Sequence, residues 1–155
     1  MLSHQLTGTM VHVSELLTDD ETRLWHAWKQ AAEAVRANVA ARLDTATGLS
    51  DPDFGILTRL EDLGGGSLRQ NELAVSMGWH RSRLSHQLTR MEQRGLLTRS
   101  NVPGGVLVTT TAQGRKAIAE ARPVHARAVR ELLISQVPRE QAPSLIAVLE
   151  ALAKG

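Results

Sequence analysis

The sequence predicts a mainly helical chain interrupted by one small β-hairpin. Three observations predict it. Apolar residues recur at three- and four-residue steps along most of the chain, the period of a helix with one buried side. Glycines and polar, proline-bearing clusters punctuate these stretches. Only residues 96–109 break the pattern, with two short apolar or β-branched runs around Pro103-Gly104-Gly105.

Residues 1–18 have mixed polarity and no period, so an irregular lead-in is expected. Thr18-Asp19-Asp20-Glu21 then offers a capping side chain followed by acids, which suit the positive end of a helix dipole. Leu24, Trp28, Ala31, Val35, Val39 and Leu43 mark one side of a long helix ending near Gly48, with Trp25 widening the stripe. Ser50-Asp51-Pro52-Asp53 starts a second helix, because proline costs nothing in a first turn. Phe54, Leu57, Leu60 and Leu63 are its expected buried side, and Gly64-Gly65-Gly66 ends it.

A third helix over about 69–77 carries Leu73, Ala74 and Met77 and stops at Gly78. A fourth, over about 80–94, stops at Gly95, and its apolar residues are only Leu84, Leu88 and Met91. After the hairpin, Thr110 or Thr111 caps a long helix to about 136, and Thr110-x-x-Gln113 has the spacing of a capping box. Pro123 lies inside it and is expected to kink it. The last helix, about 139–153, is expected to bury Leu145, Val148, Leu149 and Leu152. No internal repeat appears.

Composition narrows the function. With 155 residues, 42% of them hydrophobic and 22% charged, the chain has the make-up of one globular domain. It lacks cysteine, which excludes disulfides, thiolate zinc sites and thiol redox switches. No histidine pair has the spacing of a helical zinc motif, so neither metal nor cofactor is expected. Ser85-His86 are neighbours on a helix and point apart, and no Gly-x-Ser-x-Gly elbow exists, so catalysis is not expected. One phenylalanine and no tyrosine make a stacking platform for single strands hard to build. No apolar run is long enough for a membrane span and the N-terminus lacks the pattern of a secretory signal, so a cytoplasmic protein is expected.

Net charge is only +2, but residues 67–103 hold six arginines against two glutamates, a local +4, while the remainder sums to −2. Such a cluster is an electrostatic footprint for a polyanion or a solvated helix face. The order of elements favours the first. Two helices joined by a short glycine turn form a helix-turn-helix, and the second enters the major groove of duplex DNA. That task needs a narrow docking stripe and a long-armed polar face. Residues 80–94 supply both: Leu84, Leu88 and Met91 dock, leaving His80, Arg81, Ser82, Arg83, Ser85, His86 and Arg90 free. Arg69 and Gln70 before the turn, Trp79 within it and Arg99 at the base of the hairpin complete the candidate DNA contacts. His80 stands at a capping position where Ser or Thr is commoner.

Leu68 to Arg99 resembles the DNA-binding lobe of MarR family regulators. The resemblance rests on Leu73-Ala74, on Ser82-Arg83-Leu84-Ser85 and on Arg94-Gly95-Leu96-Leu97-Thr98-Arg99. Thr111-Ala112-Gln113-Gly114-Arg115 is similar to the family's entry into the next helix. The run from Trp79 to His86 is its most specific part, and with helix order it covers roughly 20–153. It implies a single winged helix-turn-helix domain, with 49–111 as the DNA-binding lobe and 19–47 and 112–155 as dimerisation helices. The apolar surface of those flanking helices, more than a small lobe can cover, argues independently for a homodimer. A ligand-responsive repressor on a pseudo-palindromic duplex is the implied function.

The wing departs from the family pattern. Its usual Asp-x-Arg or Asp-Arg-Arg tip, whose arginine enters the minor groove, is replaced by Asn101-Val102-Pro103-Gly104-Gly105. Weaker or looser binding than in a full-winged relative is expected, with Arg99 left to touch a phosphate. This departure, with the modest net charge, supports an alternative: a winged-helix module that binds another protein. Trp25, Trp28, Phe54 and Leu57 are either the lining of a pocket for an aromatic or phenolic effector, which the resemblance implies, or ordinary helix packing.

Overall fold

A computed structural model describes residues 16–155, and the expected lead-in falls mostly outside them. The chain divides into two compact units, Met1–Ala34 and Val35–Gly155. Helix α1 (Asp19–Thr47) runs through both. In the first unit it opens with a reciprocal cap: the Thr18 N–H donates to Glu21 Oε2 at 2.8 Å and the Glu21 N–H to Thr18 Oγ1 at 3.3 Å. Of the expected α1 stripe only Val39 and Leu43, in the second unit, are buried, whereas Leu24, Trp25 and Trp28 are exposed.

The second unit holds the lobe. Helix α2 (Asp51–Gly64) starts at Ser50, whose side chain accepts from the Asp53 N–H while Asp53 accepts from the Ser50 N–H. Its buried side is Ile56, Leu57 and Leu60, with Phe54 partly buried against the core. Leu63, expected inside, is 64% exposed. Steps of three lag behind a helix of about 3.6 residues per turn, so residues nine apart face opposite ways and Ile56 takes the inner position. A strand that the sequence reading lacked, β1 (Ser67–Arg69), follows. Three residues are too few to show alternation.

Helix α3 (Gln70–Met77) ends at Gly78, whose φ of 63° is left-handed and lets the chain turn sharply into α4 (Arg81–Gln93). Strands β2 (Leu97–Val102) and β3 (Gly105–Thr110) pair with Leu97 opposite Thr110 and Val102 opposite Gly105. The turn is therefore Pro103-Gly104 alone, and the hairpin is longer than the sequence suggested, because Ser100 to Val102 extend β2. β3 lies between β1 and β2 in an antiparallel sheet.

Helix α5 (Ala112–Leu132) is capped by Thr111, and Thr110 instead ends β3 and is buried. Gln113 closes no capping box; its Nε2 donates to the Arg94 carbonyl at 3.2 Å. A Cβ on Gly114 would lie 2.0 Å from the Leu96 carbonyl oxygen, so only glycine lets α5 press on the exit of α4. α5 contains Pro123 and stops at Leu132 rather than 136, with a 3-10 turn over Ile134–Gln136. Helix α6 (Ala142–Lys154) buries none of its residues within the chain: Leu145, Val148 and Leu152, expected inside, are exposed. The core gathers Leu57, Leu60, Leu73, Leu84, Leu88, Met91 and Val108, all fully buried, between α2, the helix-turn-helix and the sheet.

Candidate nucleic-acid interface

Helix α4 has two sides of different chemistry. Leu84, Leu88 and Met91 are fully buried and dock it on the core. Arg81, Ser82, Arg83, His86 and Arg90 are exposed and Ser85 is half-buried. The first turn carries no acid, and His80 at the N-cap makes no side-chain cap bond. The free N–H groups and positive dipole end therefore stand beside Arg81 and Arg83, a combination suited to phosphate. The Arg83 guanidinium lies 3.8 Å from the centroid of the Trp79 ring. This cation–π contact holds the group against the ring, and its N–H donors can still meet an acceptor.

A buried polar chain holds α4 in place. Asp53 is 1% exposed, and Gln87, on the docking side between Leu84 and Met91, is also buried. Gln87 Nε2 donates to Asp53 Oδ1 at 2.7 Å and Arg94 Nη1 to Asp53 Oδ2 at 2.6 Å. Arg94 Nη2 donates to the Gly48 carbonyl at 2.8 Å, tying the end of α1 to the end of α4. Arg90 donates to Gln87 Oε1, so one exposed arginine of the polar side is steered from the core. Burying a carboxylate is tolerable only with this much pairing. The sequence reading missed Gln87 and took Asp53 as a mere helix-start acid; the signal was Gln87 at the spacing of the apolar stripe.

Two arginines expected at DNA have partners within the lobe. Arg99 Nη2 donates to Thr89 Oγ1 at 2.9 Å and to Glu92 Oε1 at 3.1 Å, which braces β2 against α4. Arg69 Nη1 donates to the Pro103 carbonyl at 2.9 Å, at the hairpin turn. Gln70, half-buried, begins α3.

The residues considered for an effector pocket fall as follows. Trp25 and Trp28 are exposed in the first unit. In the second, Leu57 is fully buried and Phe54 stacks on His125 with ring centroids 4.5 Å apart. A separate cleft of about 450 Å³ lies between α1 and α5, lined by Asn38, Arg42, Thr45, Val124 and Arg127. Arg42 is paired with Glu131 across it. Among the described residues no helix is long and apolar enough to cross a membrane, and no group of three or more potential metal ligands gathers.

A helix-turn-helix with a polar, arginine-bearing second helix and a flanking hairpin is a winged-helix DNA-binding lobe. Residues 49–104 match the MarR family model. The chain is similar to AbsC, a MarR family transcriptional regulator from Streptomyces coelicolor, at 28% identity and a TM-score of 0.85, over 91% of this chain and 97% of that one. It is similar to Sco3205, another MarR family regulator from Streptomyces coelicolor, solved in complex with DNA, at 28% identity and 0.82, over 90% and 93%. BpsR of Bordetella bronchiseptica, whose DNA binding is regulated by 6-hydroxynicotinic acid, shares the fold at 18% identity and 0.75, over 90% and 99%. Comparison with curated proteins finds no match. The match to the MarR family thus lies in the lobe, and the fold of the chain is similar to that of MarR family transcriptional regulators.

Proposed function

We propose that the protein is a homodimeric, sequence-specific repressor that sets α4 into the major groove of a pseudo-palindromic duplex in the cytoplasm. The observation that carries this reading is the outward side of α4: Arg81, Ser82, Arg83, His86 and Arg90 around an acid-free helix start, with Arg83 held over the Trp79 ring. Arg83 is the proposed base reader, while Arg81 and the Ser82 hydroxyl serve phosphates. The dimer is supported by the uncovered apolar residues Leu145, Ile146, Val148 and Leu152 of α6. Two lobes related by a two-fold axis would meet half-sites about one turn, ~10 bp, apart.

A small aromatic acid or phenol is the proposed effector, following the likeness in fold to BpsR. It would act by favouring a spacing of the two α4 helices that misfits the duplex. The test is titration of the protein onto a labelled duplex from upstream of its own gene at two salt concentrations, beside Arg83→Ala. Tight binding that weakens steeply with salt and is lost in the variant supports the reading. Binding equal to that of random duplex, with Arg83→Ala indifferent, overturns it in favour of a protein-interaction module.

A further inference from the structure

The wing tip carries no charge of its own. Between Ser100 and Gly105 every side chain is neutral, and the hairpin's one basic residue, Arg99, is held by Glu92 and Thr89. Yet a guanidinium is present at the tip. Arg69 leaves the end of β1, where it pairs with Leu107 of β3, and its Nη1 reaches the Pro103 carbonyl at 2.9 Å. A Cβ on Gly104 would stand 3.6 Å from the same nitrogen, an ordinary contact distance, so the guanidinium lies against the turn, whose φ of 83° at Gly104 favours glycine.

Among the described residues Arg69 makes no ion pair. The nearby carboxylate of Glu72 accepts the Arg69 backbone N–H at 3.1 Å instead. A guanidinium has five N–H donors, and Pro103 uses one. The residue is exposed, and its position at the N-cap of α3 provides no side-chain cap bond. Neither helix capping nor burial accounts for an arginine there.

We infer that Arg69 is the basic tip of this wing: it pins the Pro103-Gly104 turn through one donor and offers the others to duplex DNA flanking the steps that α4 reads. This rests on the DNA-binding reading above and deepens it, since the wing contact comes from β1 and not from the hairpin. The ligand chemistry is an anionic or acceptor-rich DNA edge, either phosphate oxygens or the floor of the minor groove.

The experiment uses a duplex selected from a random pool by the full-length protein, with affinity across a salt series and hydroxyl-radical footprints. The proteins are wild type, Arg69→Ala, Arg83→Ala, and Arg69→Ala with Asn101→Arg to return a cation to the exposed strand of the wing. Arg69→Ala is expected to lose about tenfold in affinity, lower the salt slope by about one, and lose flanking protection while keeping the central one. Asn101→Arg is expected to restore slope and protection in part. Arg83→Ala should weaken the centre instead. An unchanged slope and footprint for Arg69→Ala, with Arg83→Ala defective, overturns the inference and leaves the DNA reading standing. Lost affinity at an unchanged slope, without rescue, overturns it too, because the latch is then purely structural. No salt-sensitive binding by wild type, with every variant alike, overturns the DNA reading itself. An unaltered melting temperature in Arg69→Ala verifies the fold. Substituting 2,6-diaminopurine for adenine at the flank adds an amino group to the minor-groove floor and leaves the phosphates and the major-groove edge alone: unchanged affinity assigns Arg69 to phosphate, and altered affinity to the groove floor.

Discussion

Helices α4 and α6 are each 13 residues long and each has one apolar side, but the chain treats them in opposite ways. α4 buries Leu84, Leu88 and Met91 completely, and its polar residues are placed from the core through Gln87 and Asp53. α6 buries nothing, leaving Ile146 and Val148 each 55% exposed and Leu152 65% exposed. Amphipathic periodicity therefore reports only that a helix has a side to cover. Whether its own chain covers that side depends on which elements the topology brings near.

The largest effect is expected at Leu88: Leu88→Ala removes fully buried methyl groups and should cost about 2–5 kcal/mol of unfolding free energy, independent of protein concentration, by urea titration. Next is Gly114→Ala, whose added methyl meets the Leu96 carbonyl. It should cost about 1–3 kcal/mol and loosen the seat of α4, measured by urea titration with amide exchange at Leu96 and Leu97.

Ile146→Lys on α6 should behave differently. Within one chain it is a surface change of about ±0.5 kcal/mol. If a second copy covers α6, the variant sediments as a monomer where wild type is a dimer, and its melting temperature loses concentration dependence. Equal sedimentation of the two would remove α6 from the interface.

The smallest effect lies at the start of α1. Hydrogen bonds from the Thr18 backbone and then its side chain hold the Glu21 carboxyl below its usual range. A depressed folded-state value means that this stabilisation is present above the ordinary carboxylate value and fades as pH falls through the folded one. Carboxyl titration by NMR should show Glu21 rising toward ordinary values in Thr18→Ala, with fraying confined to the first turn.

Much of the lobe was legible because its signals are local. Gly78 and Gly95 mark ends of helices whose apolar stripes, Leu73-Ala74 and Leu84-Leu88-Met91, face inward as spaced. The capping residues Ser50 and Thr111 are visible for the same reason. What escaped is non-local. β1 exists only because β3 arrives beside it, and Gln87 matters only because Asp53 is 2.7 Å away. Arg69 and Arg99 were visible as basic residues flanking the helix-turn-helix, but their contacts with Pro103, Thr89 and Glu92 come from other parts of the fold. The exposed side of α6 was read as buried because periodicity cannot name a partner.

Whether α4 reads base edges in the major groove is decided by methylation interference on the selected duplex. Methylation of guanine N7 places a group in that groove alone. Base reading by α4 gives two clusters of interference ~10 bp apart, with one guanine in each becoming indifferent in Arg83→Ala. Binding by wild type that ignores N7 methylation everywhere would contradict it.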